Sequence, residues 1–278
     1  MEQFEGKTAV VTGAASGMGR ALAGRFVDAK MRVVLADIEV EPLKKAEEAL
    51  LERGGDVLAV ETDVRKLDSI ENLHAKAIDA YGKVHVLCNN AGVVGGGALW
   101  EQSLADWDWA LGVNLWGFAH AVRTFVPGMI AHGEEGHVVN TCSIGALIPM
   151  PFGGAYNVAK AGVLALSETL FLELKVTNAR IGVSVVCPGL VNTNILDSAR
   201  NWPEELGPRP TDKRDPAEVA ALRQMMAGAM SPAAVAEGVF NAIRADQLYV
   251  LTHPEYDNMI RDRMDAILDR RNPALPGM

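Results

Sequence analysis

Thr8-Ala-Val-Val-Thr-Gly-Ala-Ala-Ser-Gly-Met-Gly19 indicates how this chain folds. Its β-branched start is typical of a buried parallel strand, and a helical pattern follows the last glycine. Glycines between a strand and a helix let the backbone approach a pyrophosphate, which the free N–H groups of the helix can bind. The spacing is Gly-x-x-x-Gly-x-Gly rather than the common Gly-x-Gly-x-x-Gly. The predicted phosphate-binding residues are Gly13, Ser16, Gly17, Met18 and Gly19.

A second predicted strand, residues 32–36, ends in Asp37. An acidic residue about 20 residues beyond such a loop can accept hydrogen bonds from the adenosine ribose, and it repels a 2′-phosphate. Ile38 and Ser16 offer no positive charge to hold that phosphate. These residues favour NAD over NADP, although a solvated aspartate at a strand end also fits Asp37.

Strands and helices alternate along the rest of the chain. The predicted strands are 57–61, 84–88, 138–142, 181–187 and 248–251, and the predicted helices are 41–53, 67–81, 104–131, 154–175, 216–230, 232–245 and 253–270. This pattern predicts a Rossmann-like, doubly wound α/β fold with a parallel sheet of about seven strands and helices on both faces. No linker divides residues 1–278, so a single domain is expected. Residues 190–230 are irregular and proline-rich at first, which predicts a segment that caps the substrate site.

Composition excludes several functional classes. The net charge is −9 and no basic run stands out, so nucleic-acid binding is not expected. Three cysteines without paired spacing and six dispersed histidines argue against a disulfide framework and a metal site. No leader is recognisable, and no apolar run approaches the ~20 residues of a membrane span. A soluble, cytoplasmic protein is therefore expected.

Tyr156 and Lys160 form the candidate catalytic pair. At a spacing of four residues they share one face of the helix predicted at 154–175. A free tyrosine has a pKa of about 10, and a nearby ammonium group lowers it, which would make the phenol useful in proton transfer. Considered alone, the pair could also be a half-exposed tyrosine beside a solvated lysine.

Taken together, these motifs resemble the short-chain dehydrogenase/reductase family over residues 5–255. The motifs are Thr12-Gly-Ala-Ala-Ser-Gly-Met-Gly19, Asp63-Val64, Asn89-Asn-Ala-Gly92, Asn114, Ser143, Tyr156-Asn-Val-Ala-Lys160 and Pro188-Gly-Leu-Val-Asn-Thr193. Their order and spacing make coincidence very improbable. The resemblance implies an NAD-dependent oxidoreductase that needs no metal and assembles as a homotetramer or homodimer, with the helices carrying Asn114 and Tyr156 packed across a two-fold axis.

The resemblance also implies roles for four catalytic residues. Tyr156 would exchange the alcohol proton as hydride leaves for the nicotinamide. Lys160 would lower the pKa of Tyr156 and hold the nicotinamide ribose. Ser143 would hydrogen-bond the substrate oxygen. Asn114 would hold a water in a proton relay, whereas an asparagine inside an apolar helix more often satisfies a nearby backbone group.

Further cofactor contacts follow from the resemblance. Asp63 and Val64 would contact adenine. The residues expected to line the cofactor elsewhere are Asn90, Ala91, Gly92, Pro188, Gly189, Val191 and Thr193, with the last two holding the carboxamide.

The substrate pocket is expected to be apolar. Its predicted lining, beside Ser143, is Leu147, Ile148, Met150, Phe152, Leu190, Ile195, Leu196 and Trp202. No Arg or Lys stands ready for a carboxylate or phosphate, which favours a hydrophobic secondary alcohol or ketone. Residues 247–255 are similar to a stretch of bacterial members that oxidise bulky aryl or alicyclic alcohols. The same apolar residues could instead belong to the core or to a subunit interface.

Two other functions remain open on sequence grounds. One is an NADP-dependent carbonyl or acyl-thioester reductase, which Asp37 disfavours. The other is a non-catalytic dinucleotide-binding sensor on the same fold. The set Asn114, Ser143, Tyr156 and Lys160 argues against the sensor, because binding alone does not require all four.

Overall fold

Seven parallel strands form one sheet in the computed structural model, which describes residues 1–208 and 216–275. The strands are β1 (Thr8–Thr12), β2 (Arg32–Asp37), β3 (Asp56–Glu61), β4 (Val86–Asn89), β5 (Gly136–Thr141), β6 (Ile181–Cys187) and β7 (Tyr249–Leu251). Their order in the sheet is β3-β2-β1-β4-β5-β6-β7, and every neighbouring pair is parallel. The predicted doubly wound α/β fold is confirmed.

Helices cover both faces of this sheet. They are α1 (Gly17–Asp28), α2 (Val40–Glu52), α3 (Leu67–Tyr81), α4 (Leu104–Leu111), α5 (Gly117–Ala131), α6 (Ile144–Leu147), α7 (Gly154–Val176), α8 (Pro216–Ala227), α9 (Pro232–Ala245) and α10 (Asp257–Leu268). Helices α1, α2 and α9 bury apolar side chains on one face, and α3, α4, α5 and α7 bury theirs on the other. Residues of β1 alternate between the two cores, as a strand covered on both faces requires. No described helix is long and apolar enough to cross a bilayer.

The strand order reverses between β1 and β4. The chain moves from β1 outward to β3, then returns to pair β4 with the other side of β1. At such a reversal the loops after the two strands diverge and leave a crevice at their carboxyl ends, where α/β proteins bind ligands. The glycine-rich turn after β1 and the loop of residues 90–92 after β4 face each other there.

The single helix predicted over residues 104–131 is interrupted. A π-helical turn, Gly112–Trp116, separates α4 from α5. Glycines on either side of this turn pack closely against the loop after β3. A Cβ on Gly117 would come within 2.9 Å of Val64 Cγ2, and one on Gly112 within 3.3 Å of Arg65. The wider turn brings Asn114 into the interior, where it is fully buried. Insertions of this kind are frequent at functional sites.

The segment after β6 differs from the sequence expectation in detail. It contains two short 3₁₀ turns, Ile195–Asn201 and Glu204–Leu206, and α8 ends at Ala227 rather than at residue 230. Residues 209–215 of the predicted capping segment 190–230 lie outside the described residues. The predicted terminal helix begins as a 3₁₀ turn, Pro254–Tyr256, before α10.

Long-range contacts hold the described part of this segment over the crevice. Arg200 pairs with Glu39 at 2.6 Å, and Glu205 pairs with Arg65 at 2.9 Å. The hydroxyl of Ser198 accepts a hydrogen bond from Val94 N–H at 2.9 Å. These contacts tie the segment to the loops after β2, β3 and β4.

A chain of buried amides and hydroxyls fastens α7 to the sheet. Asn89 Nδ2 donates to Asn140 Oδ1 at 2.9 Å, and Asn140 Nδ2 donates to Ser167 Oγ at 2.9 Å. Ser167 donates in turn to Val163 O at 2.7 Å. Both Asn140 and Ser167 are fully buried, so no solvent can replace a lost partner.

Replacing Asn140 by leucine should therefore destabilise the protein by about 2–3 kcal/mol, because the Asn89 donor and the Ser167 hydroxyl would lose their buried partner. Urea unfolding followed by circular dichroism measures this change. Asn241→Leu, at an exposed site on α9, is the control and should change stability by less than about 0.5 kcal/mol. Equal effects of the two substitutions would show that the buried chain contributes nothing specific.

Candidate active site

A cavity of about 640 Å³ lies at the carboxyl ends of the central strands. Its wall includes the glycine-rich turn, the ends of β2, β3 and β4, the start of α7 and the segment after β6. One end is lined by glycines and charged residues and the other by apolar side chains, so the two ends suit different parts of a bound complex.

The glycine-rich turn fits a pyrophosphate for steric reasons. Gly13 has φ +66°, and a Cβ there would come within 2.9 Å of Ala91 Cα. A Cβ on Gly19 would come within 2.0 Å of Gly13 O. Ser16 precedes α1 without capping it through its side chain, which leaves the first N–H groups of the helix available to an anion.

Asp37 lies on the cavity wall at the end where the sequence predicts the adenosine of a dinucleotide. Its carboxylate accepts hydrogen bonds from Ala15 N–H and Glu39 N–H, both at 3.0 Å. Burial raises its pKa, and these backbone donors counter that effect. The carboxylate is thus held rigidly on the cavity wall, where it can accept further hydrogen bonds from ribose hydroxyls. Ile38, Asp63 and Val64 line the same end.

Arg200 joins this end from the segment after β6, which the sequence did not indicate. Its Nε and Nη2 donate to the two carboxylate oxygens of Glu39 at 2.8 and 2.6 Å, and its Nη1 donates to Asn194 O at 3.3 Å. This pairing lowers the pKa of Glu39 and raises that of Arg200. Because 161 residues separate the partners, no local pattern could have revealed the pair.

The loop after β4 is fixed by Thr12, another residue that the sequence did not assign a function. Its Oγ1 accepts hydrogen bonds from Asn90 N–H at 2.9 Å and Ala91 N–H at 3.1 Å. Asn90 Nδ2 donates to Thr12 O at 3.0 Å, and Thr141 donates to Asn90 Oδ1 at 3.2 Å. Asn90, Ala91 and Gly92 therefore lie at a fixed position on the cavity wall.

Asn114 lies behind this wall. Its Oδ1 accepts from Val93 N–H at 3.0 Å and its Nδ2 donates to Val93 O at 2.9 Å, so the side chain satisfies a backbone segment. A Cβ placed on Gly92 would be 3.2 Å from Asn114 Oδ1 and 3.8 Å from Lys160 Nζ. Asn114 and Lys160 thus flank Gly92, within the same small region of the structure.

Ser143, Tyr156 and Lys160 meet at the centre of the cavity. Ser143 follows β5 and its hydroxyl accepts a hydrogen bond from Gly145 N–H at 3.1 Å. A Cβ on Gly145 would be 3.4 Å from Ser143 Oγ and 3.8 Å from Tyr156 Cε1, so the Ser143 and Tyr156 side chains lie next to each other. Lys160 is buried, and its Nζ donates to Thr141 O at 2.9 Å. The same Nζ lies 5.7 Å from the centre of the Tyr156 ring.

The pKa values of this pair differ from the sequence expectation. Burial raises the pKa of Tyr156 to about 12, and the neighbouring Ser143 hydroxyl lowers it by less. Burial also lowers the pKa of Lys160 to about 8. The physical reason is desolvation: both groups lose water, and each is thereby driven toward its neutral form.

Apolar side chains line the end of the cavity where the substrate is predicted, but the set differs from the one the sequence indicated. Of the predicted residues, Ser143, Ile148, Met150, Leu190, Ile195 and Leu196 lie on the wall. Residues that the sequence did not single out are Trp109, Val113, Ile144, Leu222, Met225, Met226, Tyr256 and Met259. The helical pattern of residues 216–230 was recognisable, but the face that α8 turns toward the cavity depends on tertiary packing.

Three predicted pocket residues lie off the wall. Leu147 packs against the core beneath α6, and Phe152 is 68% exposed with φ +63°. Trp202 stacks edge-on against Trp109 and donates its indole N–H to Gly207 O at 3.0 Å. Gly19 likewise lies behind the glycine-rich turn, since its role there is close packing against Gly13.

The remaining predicted cofactor residues line the cavity. These are Gly13, Ser16, Gly17, Met18, Pro188, Gly189, Val191 and Thr193. Thr193 reaches back to the glycine-rich turn, since a Cβ on Gly17 would be 3.1 Å from Thr193 Cγ2. Within residues 1–208 and 216–275, no three His, Cys, Asp or Glu side chains are grouped to hold a metal ion.

Comparison with known proteins agrees with this geometry. The short chain dehydrogenase family model matches residues 7–204. A short-chain dehydrogenase/reductase from Burkholderia phymatum, solved in complex with NAD, is 40% identical, covers 100% of both chains and superposes with a TM-score of 0.96.

Two curated dehydrogenases are also similar in sequence. The CLA biosynthesis dehydrogenase/reductase of Lactiplantibacillus plantarum is 31% identical over 96% of this chain and 95% of its own. The 1-deoxy-11-beta-hydroxypentalenate dehydrogenase of Streptomyces exfoliatus is 33% identical over 97% and 90%, respectively. The resemblance inferred from the motifs is confirmed. With its sheet, its glycine-rich turn and its Ser143–Tyr156–Lys160 centre, this chain belongs to the short-chain dehydrogenase/reductase family of nicotinamide dinucleotide-binding oxidoreductases.

Proposed function

We propose that this protein transfers a hydride between NAD(H) and a hydrophobic secondary alcohol or ketone, with Tyr156 as the acid/base. The observation that carries the proposal is the position of Tyr156. It lies beside Ser143 and Lys160 on the wall of one cavity whose two ends suit a dinucleotide and an apolar molecule.

In alcohol oxidation, Ser143 would orient the substrate hydroxyl and stabilise the charge that develops on its oxygen. The Tyr156 oxygen would take the hydroxyl proton while the carbon loses its hydride. When bound, the oxidised nicotinamide would supply the hydride acceptor, and its positive charge would lower the pKa of the Tyr156 phenol. Ketone reduction runs the same steps in reverse, with the Tyr156 phenol donating the proton.

Lys160 would hold the ribose next to the nicotinamide and supply positive charge to the site. Its Nζ donates to Thr141 O and retains two further N–H donors. Asn114 keeps the loop beside Lys160 in place through Val93, which uses its Oδ1 and one of its two side-chain N–H donors.

Three features support NAD as the cofactor. Asp37 is oriented by two backbone N–H groups and would repel a 2′-phosphate. Arg200 brings a positive charge from the segment after β6 to the Asp37 end of the cavity. Its guanidinium already donates hydrogen bonds to Glu39 and Asn194, so it would not be oriented toward a 2′-phosphate. The similar protein from B. phymatum was solved with NAD.

The apolar wall supports a bulky neutral substrate. Methionines from three parts of the chain, Met150, Met225 and Met259, line this end together with Trp109 and Leu190. Methionine side chains adapt to irregular apolar shapes. One of the similar enzymes is named as a dehydrogenase of a hydroxypentalenate, which is in keeping with an alcohol substrate.

Self-association through α7 is part of the same proposal. This helix exposes Val158, Leu172 and Val176, the last at 82% of its surface. Trp116, at the end of the π-helical turn, is also exposed. Such an apolar surface beside the site suits a two-fold contact between copies of the chain, in a homodimer or homotetramer.

Tyr156→Phe should reduce NADH formation from NAD and apolar secondary alcohols by about 10³-fold, because the proton acceptor is lost. Absorbance at the NADH band measures the rate, and fluorescence titration should show NADH affinity within about twofold of wild type. Tyr249→Phe is the control, since that hydroxyl bonds Glu168 at an exposed site. Full turnover in Tyr156→Phe would refute the proposal. Tight NADH binding without turnover of any alcohol in the wild type would favour a sensor.

Asp37→Asn should shift the ratio of the NADPH and NADH dissociation constants toward NADPH by about tenfold or more, because a negative charge facing the 2′-phosphate is removed. Titration of both reduced cofactors measures the ratio. Glu61→Gln removes a charge from the neighbouring strand at the same end of the sheet, outside the cavity wall, and should leave the ratio unchanged. Tighter binding of NADPH than NADH by the wild type would favour an NADP-dependent reductase instead.

Lys160 should make folding stability depend on pH. Its folded pKa of about 8 lies below the ordinary value of 10.5, so the unfolded chain binds more protons between these values. Stability therefore rises with pH across this window, and the cost of the buried charge is present in full below pH 8. Between pH 8 and 10.5, the free energy of unfolding of wild type should therefore rise by about 3 kcal/mol relative to that of Lys160→Met.

Urea unfolding at several pH values tests this expectation. Lys45→Met, at an exposed site on α2, is the matched control and should follow wild type. A wild-type curve parallel to that of Lys160→Met would show that burial leaves the pKa of Lys160 near its ordinary value.

A further inference from the structure

His253 holds the turn that follows β6. Its ring is 8% exposed, and its Nδ1 accepts a hydrogen bond from Gly189 N–H at 3.1 Å. The Thr252 hydroxyl lies 2.7 Å from the same nitrogen. Because Nδ1 accepts, Nε2 carries the proton and donates to Leu190 O at 3.0 Å. One side chain thus satisfies two successive backbone groups of a turn that is 63–64 residues away in sequence.

The same C-terminal segment packs directly onto this turn. A Cβ on Gly189 would be 2.6 Å from Tyr256 Cε2 and 3.0 Å from His253 Cδ2. Only glycine leaves room for both rings at this point. Tyr256 itself lies on the cavity wall, as does Met259 one helical turn further on.

The turn that His253 holds is central to the site. Pro188, Gly189, Leu190, Val191 and Thr193 all line the cavity. Ile144 N–H, next to Ser143, donates to Pro188 O at 2.9 Å. A displacement of the turn would therefore reach the region around Ser143 as well as the cavity wall.

We propose that His253 is a positioning residue, which aligns the Pro188–Leu190 turn so that the reactive end of the dinucleotide faces Tyr156, and that Tyr256 sets substrate specificity beside it. This inference rests on the proposed function. It explains why Thr252-His253-Pro254 follows the last strand: the strand end carries the histidine to the turn, and the 3₁₀ turn Pro254–Tyr256 then directs Tyr256 to the cavity.

A matched control exists in the same chain. His132 also accepts at Nδ1 from a backbone N–H, that of Glu134 at 3.1 Å, and donates at Nε2 to a backbone carbonyl, that of Val84 at 2.9 Å. It lies near the amino ends of the strands, away from the cavity wall. His132→Leu therefore removes the same two kinds of hydrogen bond without touching the turn.

The experiment compares wild type, His253→Leu, His253→Asn and His132→Leu. The dissociation constants of NADH and of ADP-ribose are measured by titration. Because ADP-ribose lacks the nicotinamide, an effect on NADH alone reports the alignment of the nicotinamide end, whereas an equal effect on both reports binding in general. His253→Leu should weaken NADH by about tenfold, equivalent to ~1.4 kcal/mol, and leave ADP-ribose within about twofold. His253→Asn retains an acceptor for Gly189 N–H, so its NADH affinity should lie between those of wild type and His253→Leu. His132→Leu should leave the ratio of the two affinities unchanged.

Hydrogen exchange provides a readout that needs no cofactor. Amide exchange in residues 181–193 should become faster in His253→Leu, less so in His253→Asn, and not at all in His132→Leu. Unchanged exchange there, or equal losses of NADH and ADP-ribose affinity, would overturn the positioning role. If wild type binds NADH but Tyr156→Phe has no effect on turnover, the proposed function fails while these two readouts still decide the role of His253. Failure of wild type to bind NADH would overturn both proposals.

Tyr256 is tested with a panel of secondary alcohols of increasing size. Tyr256→Phe and Tyr256→Ala should change kcat/KM for bulky alcohols relative to small ones, with Tyr256→Ala giving at least about a tenfold change in that ratio. An unchanged ratio in both variants would overturn the specificity role.

Discussion

The site depends on the junction between the carboxyl ends of β1 and β4, which the hydroxyl of Thr12 holds together. That oxygen accepts from two successive N–H groups of the loop after β4, while Asn90 returns a hydrogen bond to Thr12 O. Gly13 can then approach Ala91 so closely that no side chain fits between them. The crevice at the reversal of strand order exists in any sheet of this topology. The rigid alignment of its two walls comes from these short backbone contacts.

Desolvation is the second constraint on the site. Lys160 is buried and Tyr156 is half-buried on the cavity wall, and the loss of hydration moves the pKa of the phenol up and that of the ammonium group down. A pair so poorly hydrated responds strongly to any added charge, since little solvent screens it. A charge that binds in the cavity would therefore change the protonation of Tyr156, whose ring lies next to Ser143.

Segments from the last third of the chain complete the cavity. Arg200, Glu205 and Ser198 fasten the segment after β6 to loops of the first half, and His253 fastens the turn that precedes it. Each of these contacts joins residues more than 60 positions apart. These parts of the cavity wall are thus held in position by side-chain contacts between distant residues, whereas the glycine-rich turn follows β1 directly and is shaped by its own backbone.

The sequence by itself determined the doubly wound sheet, its family and the residues at the ends of its strands, because β-branched runs, glycine turns and helical periodicity are local signals. It also indicated Asp37, Ser143, Tyr156 and Lys160, which lie directly after or near strand ends. Only the tertiary structure decided that a π-helical turn buries Asn114. It also decided that desolvation raises the pKa of Tyr156, which the sequence predicted to be lowered. In the same way, it placed Leu147, Phe152 and Trp202 away from the cavity wall. These depend on packing between distant segments, and neither the orientation of a helix face nor the depth of burial is encoded in a short stretch of residues.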